Sequence, residues 1–320
     1  MARVAALFDP MVRLLILAIA LAALFPAVDE WLELSRLVSS GGIFLLFLVN
    51  GLRIERQQIL QGFARLGYFL PLFLWVFGVM ALAGLAIAKL SYGIVPPLIS
   101  LGFLYLGTLP STVQSATSYT LLANGNAALA VIGAALLNVA GVFITAPLFA
   151  MLGGGAVPDV GSDTIMRIAL LLVLPLVIGM AVQDWTRGWI DRQRSRLVWL
   201  DRVVIALAVY VASSGAVEQG IGSKISPGSW AGLGGFTALF LAFGHWGSWL
   251  ASGLLRLPTA DRIAFLFAGS QKSIAIGAPL AALLIPPEAA GFVIAPLLLY
   301  HLLQLVIAAP VSLRLAADSG

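Results

Sequence analysis

The chain of 320 residues contains no cysteine, two histidines and few charges, with Asp, Glu, Lys and Arg together making up 10%. Without cysteine there can be no disulfide framework, and the redox compartment is undetermined. At 10% charge, against about a quarter in a soluble domain, the chain could not cover a surface facing water. No HExxH or GxSxG occurs, and no carboxylate pair falls inside an apolar segment. The usual routes to metal-assisted or serine hydrolysis are therefore missing. The net charge of +4 is scattered over loops rather than gathered in a patch, so nucleic acid is not an expected partner.

What the chain does have is apolar length. Hydrophobic residues make up 61%, and the mean hydropathy is +1.03. The expected solvent, and first partner, is the lipid bilayer. Ten apolar segments stand out, at 11–27, 37–52, 65–89, 96–123, 126–152, 164–182, 198–215, 229–255, 260–285 and 290–315. They predict an all-α integral membrane protein of ten transmembrane helices, forming one transmembrane domain over residues 1–320. The basic, apolar N-terminus resembles a signal peptide, but "LFPA" is a poor cleavage site. It reads as a retained first helix.

Loop charges orient the helices. The N-terminus, the even-numbered loops and the C-terminus hold thirteen basic residues: Arg3, Arg13, Arg53, Arg56, Arg65, Arg187, Arg192, Arg194, Arg196, Arg202, Arg256, Arg262 and Arg314. The other side holds Arg36, Lys89, Arg167 and Lys224. The positive-inside rule makes the first side cytoplasmic, with both termini there. The expected location is the bacterial cytoplasmic (inner) membrane. Residues 183–202 read as a cytoplasmic interfacial loop whose Trp185, Trp189 and Trp199 lie at the headgroups.

The two halves of the chain, about 11–152 and 164–315, echo each other. "AALAVIGAALLNVAGVFITAPL" (127–148) and "AAGFVIAPLLLYHLLQLVIAAPV" (289–311) both open on Ala-Ala and close near Ala-Pro, with Asn138 opposite His301. Upstream of each lies a polar stretch, and Gln114 and Gln271 read as counterparts. Five spans per half make the second half enter from the opposite face, as in the inverted repeats of many secondary transporters. Residues 110–120 begin with a proline and carry Ser111, Thr112, Gln114, Ser115, Thr117, Ser118, Tyr119 and Thr120; residues 269–273 read Gly-Ser-Gln-Lys-Ser. In lipid, irregular backbone survives only where protein covers it or it lines a cavity. Two helices interrupted at these places would aim free N–H and C=O ends at a common point, where ions and charged solutes bind. The competing reading makes each hydroxyl a packing residue bonded to its own helix.

At these residues the chain resembles the bile acid:sodium symporter family. "LPSTVQSATSYTLLANGNAALAV" and "GSQKSIAIGAPLA" are most similar to the branch typified by sodium/bile acid cotransporter 7, and the resemblance covers nearly the whole chain. It implies a panel domain of helices one, two, six and seven. It implies a core domain of helices three to five and eight to ten, with unwound, crossing helices four and nine. It also implies uptake of an organic anion with sodium. The sodium-binding members carry a Glu where this chain has Phe267, an Asn where it has Lys272, and hydroxyls near Ala130 and Ala134. Their Ser-Asn pair aligns near Ala116 and Thr117. Only Gly269, Gln271 and Ser273 carry over.

Lys272 stands alone among apolar residues, and no acid lies within a hydrophobic stretch. Burying an unpaired ammonium is costly. Four explanations are open: the ammonium replaces a bound cation; it sheds and carries a coupling proton; it is the counter-charge of an anionic substrate; or it snorkels to an interface. The candidate substrate- and ion-binding residues are Gln271, Lys272, Ser273, Ser270, Gln114, Ser115, Thr117, Ser118, Asn138, His301 and Gln304. Asn138, His301 and Gln304 are read first as hydrogen bonds between helices, and His245, with Trp246 and Trp249, as packing. No cofactor is expected beyond a sodium ion or proton as coupling ion. The leading function is secondary transport of a small organic anion, with a proton-coupled or uncoupled transporter as alternative. A regulatory protein that keeps the transporter fold and a membrane-embedded enzyme are the other classes. The enzyme would need a dyad of Lys272 with Ser270 or Ser273, neighbours that point to different helix faces.

Overall fold

The computed structural model describes residues 10–54, 57, 60, 61, 64–156, 162–220 and 226–318. Arg3, Arg56 and Lys224, counted above for orientation, lie outside them. Among the described residues there is no strand, and twelve helices carry the fold.

Helix α1 is Pro10–Leu24, opened by a proline whose missing N–H is not needed there. Helix α2 is Asp29–Arg53. It begins eight residues before the apolar segment expected at 37. Asp29 and Glu30 fall in its first turn and Arg53 in its last, matching the helix dipole, so polarity there does not end the helix. Helix α3 runs through Leu66–Leu74, a π-helical turn at Trp75–Val79, and Met80–Ser91. Helices α4 (Pro97–Thr108) and α5 (Val113–Leu122) share one apolar segment. The break falls at Pro110, which holds Leu109 extended and offers no N–H to continue α4. Helix α6, Ala127–Gly153, is capped by Asn126, whose side chain accepts from the Leu129 N–H at 3.3 Å.

Helix α7 comprises Ser162–Ile168, a π-helical turn at Ala169–Val173, and Leu174–Arg192. Pro175 lies just past that turn and cannot donate back along the helix, which accounts for the irregularity. Helix α8 is Arg194–Glu218. The expected loop 183–202 is therefore helical apart from the turn at Gln193. Its charges and tryptophans are a helical corner, with Arg202 5.3 Å from the Trp199 ring and Arg53 of α2 paired with Asp201. Helix α9 is Pro227–Leu254. Helices α10 (Thr259–Ser270) and α11 (Ile274–Leu284) form the second interrupted segment, and α12 is Pro287–Asp318.

Among the described residues, seven helical segments are long and apolar enough to cross a bilayer: α2, α3, α6, α7, α8, α10 with α11, and α12. Helices α1 and α4 are shorter and apolar. Glycines let several pairs meet backbone to backbone, the close approach available to helices in lipid. A Cβ on Gly51 of α2 would overlap the Leu176 carbonyl of α7, and one on Gly102 of α4 would overlap the Val293 carbonyl of α12. Helices α1, α2, α7 and α8 pack mainly on one another, as do α3–α6 and α9–α12. The two sets meet chiefly where α8 packs on α11 and α12, with smaller contacts of α7 on α11 and α6.

Candidate functional site at two broken helices

The two breaks touch. The N–H of Ser273 donates to the Pro110 carbonyl at 2.9 Å, and Thr112 Oγ1 donates to the Lys272 carbonyl at 2.7 Å. Four helix ends thus converge: the C-termini of α4 and α10 and the N-termini of α5 and α11.

Lys272 is fully buried at 0% exposure, so it does not snorkel. Its Nζ donates to the Gly107 carbonyl at 2.9 Å and the Leu109 carbonyl at 2.7 Å. These are orphan acceptors at the C-terminus of α4, the negative end of a helix dipole. The rest of that end is also satisfied. The Tyr105 carbonyl takes Thr108 Oγ1 at 2.8 Å, and the Thr108 carbonyl takes Thr145 Oγ1 of α6 at 3.0 Å. The only ion pair among the described residues is Arg53–Asp201, so no carboxylate serves Lys272. Carbonyl oxygens do. This arrangement has the donors of a cation site with the cation supplied by the chain. It also removes the Ser–Lys dyad: Ser273 Oγ faces the Ile276 N–H as an N-cap, and neither serine receives the ammonium.

Helix α12 holds the second break. Gln304 accepts from the Lys272 N–H at 2.8 Å and donates to the Lys272 carbonyl at 3.1 Å. Its amide nitrogen also lies 2.9 Å from His301 Nδ1. One side chain thus grips both backbone polar groups of one residue, on either side of its Cα. Tyr300 donates to the Ser270 carbonyl at 2.6 Å, and Trp75, presented by the π turn of α3, donates to the Gly269 carbonyl at 3.2 Å.

What remains unpaired is as informative. Gln271 and Ser270 are fully buried, yet neither atom of the Gln271 amide and not the Ser270 hydroxyl has a partner. The same is true of the buried hydroxyls of Ser111, Ser115 and Thr117. Buried polar groups without partners are rare and costly. Six of the thirteen such atoms among the described residues gather in the two breaks and the opening turns of α5, where a polar ligand could satisfy them.

The expected residues thus divide. Ser270, Gln271, Lys272, Ser273, His301 and Gln304 come together around the second break, with Ser115 and Thr117 just past the first. Gln114 and Ser118 lie on the exposed face of α5. Gln114 is therefore not the counterpart of Gln271: Gln271 lies in its break, whereas Gln114 sits in the first turn of the following helix. Asn138 makes no bond to a neighbouring helix in place of the expected one, but donates to the Ala134 carbonyl of its own helix at 2.8 Å. His245 Nδ1–H donates to the Leu241 carbonyl at 3.0 Å, and its Nε2 is buried without a partner. Sequence reasoning missed Trp75, Tyr105 and Tyr300. The available signal was a tyrosine within an apolar stretch of each of two helices, since a buried phenol needs an acceptor. Tyr105 finds one in the Gly277 carbonyl of α11 at 2.6 Å. Trp75 gave no such signal.

Comparison with known proteins agrees with this geometry. The SBF-like CPA transporter family matches residues 9–317. A protein of Pseudomonas aeruginosa, named only as uncharacterized, is 34% identical over 307 residues, covering 94% of this chain and 91% of its own. The Escherichia coli protein named "Putative symporter YfeH" is 32% identical over 317 residues, covering 96% and 93%. Sodium/bile acid cotransporter 7 of Mus musculus is 22% identical over 283 residues, covering 84% and 80%. The resemblance carried by the two polar stretches and the match along the whole chain coincide: this chain belongs to the SBF-like CPA transporter family and is an integral multi-pass membrane transporter.

Proposed function

We propose that the protein is a secondary transporter of a small organic anion that works without a bound sodium ion, because Lys272 supplies the cation. The observation that carries this reading is the ammonium on the carbonyls of Gly107 and Leu109 at the end of α4. In a sodium symporter such oxygens would be free to coordinate an ion. Here they are occupied, and Phe267, Ala130 and Ala134 stand where the resemblance would place ligands.

The solute class follows from electrostatics. The negative ends of α4 and α10 and the positive ends of α5 and α11 offset one another at the crossing, and the ammonium of Lys272 leaves it net positive. The site therefore favours negative charge, and the unpaired Gln271, Ser270, Ser111 and Ser115 offer hydrogen bonds to it. A direct salt bridge from Lys272 is not part of this reading, since two of its three donors are engaged. The names of the cotransporter 7 relatives give bile acid as a first solute to try. Ten crossings fit the helices if α4 with α5, and α10 with α11, each count as one. The inverted repeats are then about 11–152 and 164–315, the panel is α1, α2, α7 and α8, and both termini are cytoplasmic. A site built from backbone ends, amides and hydroxyls suits binding and release rather than enzymatic turnover.

The test is uptake into proteoliposomes of a labelled conjugated bile acid and of smaller carboxylates, with and without an inward sodium gradient. Uptake that ignores sodium and is lost in Gln271→Ala, in protein that still unfolds cooperatively, is the expected result. Uptake driven by the sodium gradient would overturn the reading.

A further inference from the structure

We propose that the contact of Gly215 and Ala216 on α8 with Pro287 and Gly291 on α12 is a closed gate, and that the structure is the form open to the opposite side. This rests on the transporter reading above. At the gate the two helices meet through backbone. A Cβ on Gly215 would overlap the Pro287 carbonyl, and one on Gly291 would overlap Ala216 Cβ and lie 2.5 Å from the Ala212 carbonyl oxygen. Other backbone contacts of this kind, such as Gly51 with Leu176 or Gly102 with Val293, stay within one of the two helix sets. The α8–α12 contact joins one set to the other, so it must part if the sets move relative to each other.

The two half-helices beyond the breaks record the asymmetry. Helix α11 runs from its break toward the gate end and packs against α8, α12 and α6. Of its eleven residues, Ala275, Ala282 and Leu283 are half-buried and the rest buried. Helix α5 runs from its break the other way. It packs against α6, α10 and α12, and its remaining face carries Gln114, Ser118 and Leu121, all exposed. These positions are spaced four and three apart and so form one stripe. Gln114 lies in the turn next to the break, deep in the hydrocarbon span. An amide exposed at that depth must face water rather than lipid tails. The stripe therefore lines an aqueous crevice that reaches the candidate site from the α5–α6 side. In the alternate form the α8–α12 contact opens and the α5 stripe is covered.

The chain has no native cysteine, so single thiols report cleanly. Gln114→Cys in oriented membrane vesicles would be labelled with a maleimide that cannot cross the bilayer, offered from either side. Fast labelling from the side bearing the α5–α6 loop is expected. Adding Gly291→Phe, which wedges the gate, should slow that labelling by tenfold or more. The double variant Gln219→Cys, Glu288→Cys, at two exposed positions that rim one cavity beside the gate, cross-linked by a membrane-impermeant bis-maleimide offered from the gate side, should leave a second reporter, Ser118→Cys, fully labelled from the side bearing the α5–α6 loop. If the wedge variant does not fold, the cross-linked variant still decides the matter. Labelling of Gln114→Cys from neither side would overturn the crevice. A crevice insensitive to the wedge, or lost on cross-linking, would overturn the gate. No solute is needed, so absence of uptake together with intact gating would sink the transport reading alone.

Discussion

Replacing Lys272 with alanine should turn a cation-independent protein into a cation-dependent one. In the native chain the ammonium makes two charge-assisted hydrogen bonds, at 2.9 and 2.7 Å, to the carbonyls of Gly107 and Leu109. Bonds of this kind contribute about 1.5–3 kcal/mol each, and removing one partner of a buried charge interaction costs about 3–5 kcal/mol. Against this, the variant no longer desolvates an ammonium. The orphaned carbonyls and the void left by the stem make the loss the larger effect, and we expect Lys272→Ala to be less stable by about 3 kcal/mol in choline chloride. The vacated position retains its carbonyls and a space of ammonium size. Methylammonium, ammonium or potassium entering it would stabilise the variant by mass action, by about 2.7 kcal/mol at a hundred times the dissociation constant. The assay is thermal unfolding of purified wild type, Lys272→Ala and Lys272→Met in choline, sodium, potassium and methylammonium chlorides. Methionine fills the space without charge, so Lys272→Met should be destabilised and indifferent to cations. The reasoning fails if sodium stabilises wild type clearly, or if Lys272→Ala responds to no cation more than to choline.

Other substitutions test other parts of the site and fold. Tyr300→Phe removes the 2.6 Å bond to the Ser270 carbonyl and should lower stability by about 1–3 kcal/mol, read by thermal melting. Gln304→Leu strips both bonds from the backbone of Lys272 and should lower stability by about 1–3 kcal/mol, read by thermal melting. Gly179→Ala pushes a methyl into the Leu48 carbonyl of α2 and should cost well over 1 kcal/mol, of the order of overpacking. Gly41→Ala, with nothing within 4 Å of an added Cβ, should be neutral or slightly stabilising by helix propensity. Arg53→Met and Asp201→Asn should each destabilise more than the double variant, because either single change leaves a partly buried charge alone.

Much of the fold is legible in the sequence because lipid permits so few solutions. Apolar runs at 65–89 and 126–152 appear as α3 and α6 within two residues. The broken helices are legible for the same reason: Pro110 and the Gly-Ser-Gln-Lys-Ser run cannot sit in a plain lipid-facing helix. What hydropathy misreads is where a helix leaves the membrane. The polar start of α2 and the charged corner around Gln193 are helical because helices extend past the headgroups, and charge there is no penalty. At the site, Lys272 identifies itself by being alone. Its partners do not, because Gly107 and Leu109 contribute backbone oxygen, which every residue has. The exposure of Gln114 and Ser118 and the side on which Asn138 falls depend on helix rotation. A helix such as α6, apolar on all sides, leaves that rotation unmarked in the sequence.

A cation fixed to the polypeptide changes what can drive the machine. A free ion enters on one side of the membrane and leaves on the other, and that transfer delivers work, about 2.3 kcal/mol per charge for every 100 mV. While Lys272 keeps its proton, its charge cannot leave. Whatever field that charge crosses in one half of the cycle it recrosses in the return, and the net electrical work is zero. Such a carrier is not loaded by an ion reservoir and does not stall when that reservoir runs down. If Lys272 takes the place of the coupling ion as proposed, direction is set by the electrochemical gradient of the solute itself, its concentrations and, for an anion, the membrane potential, which makes the protein a valve for its solute rather than a pump.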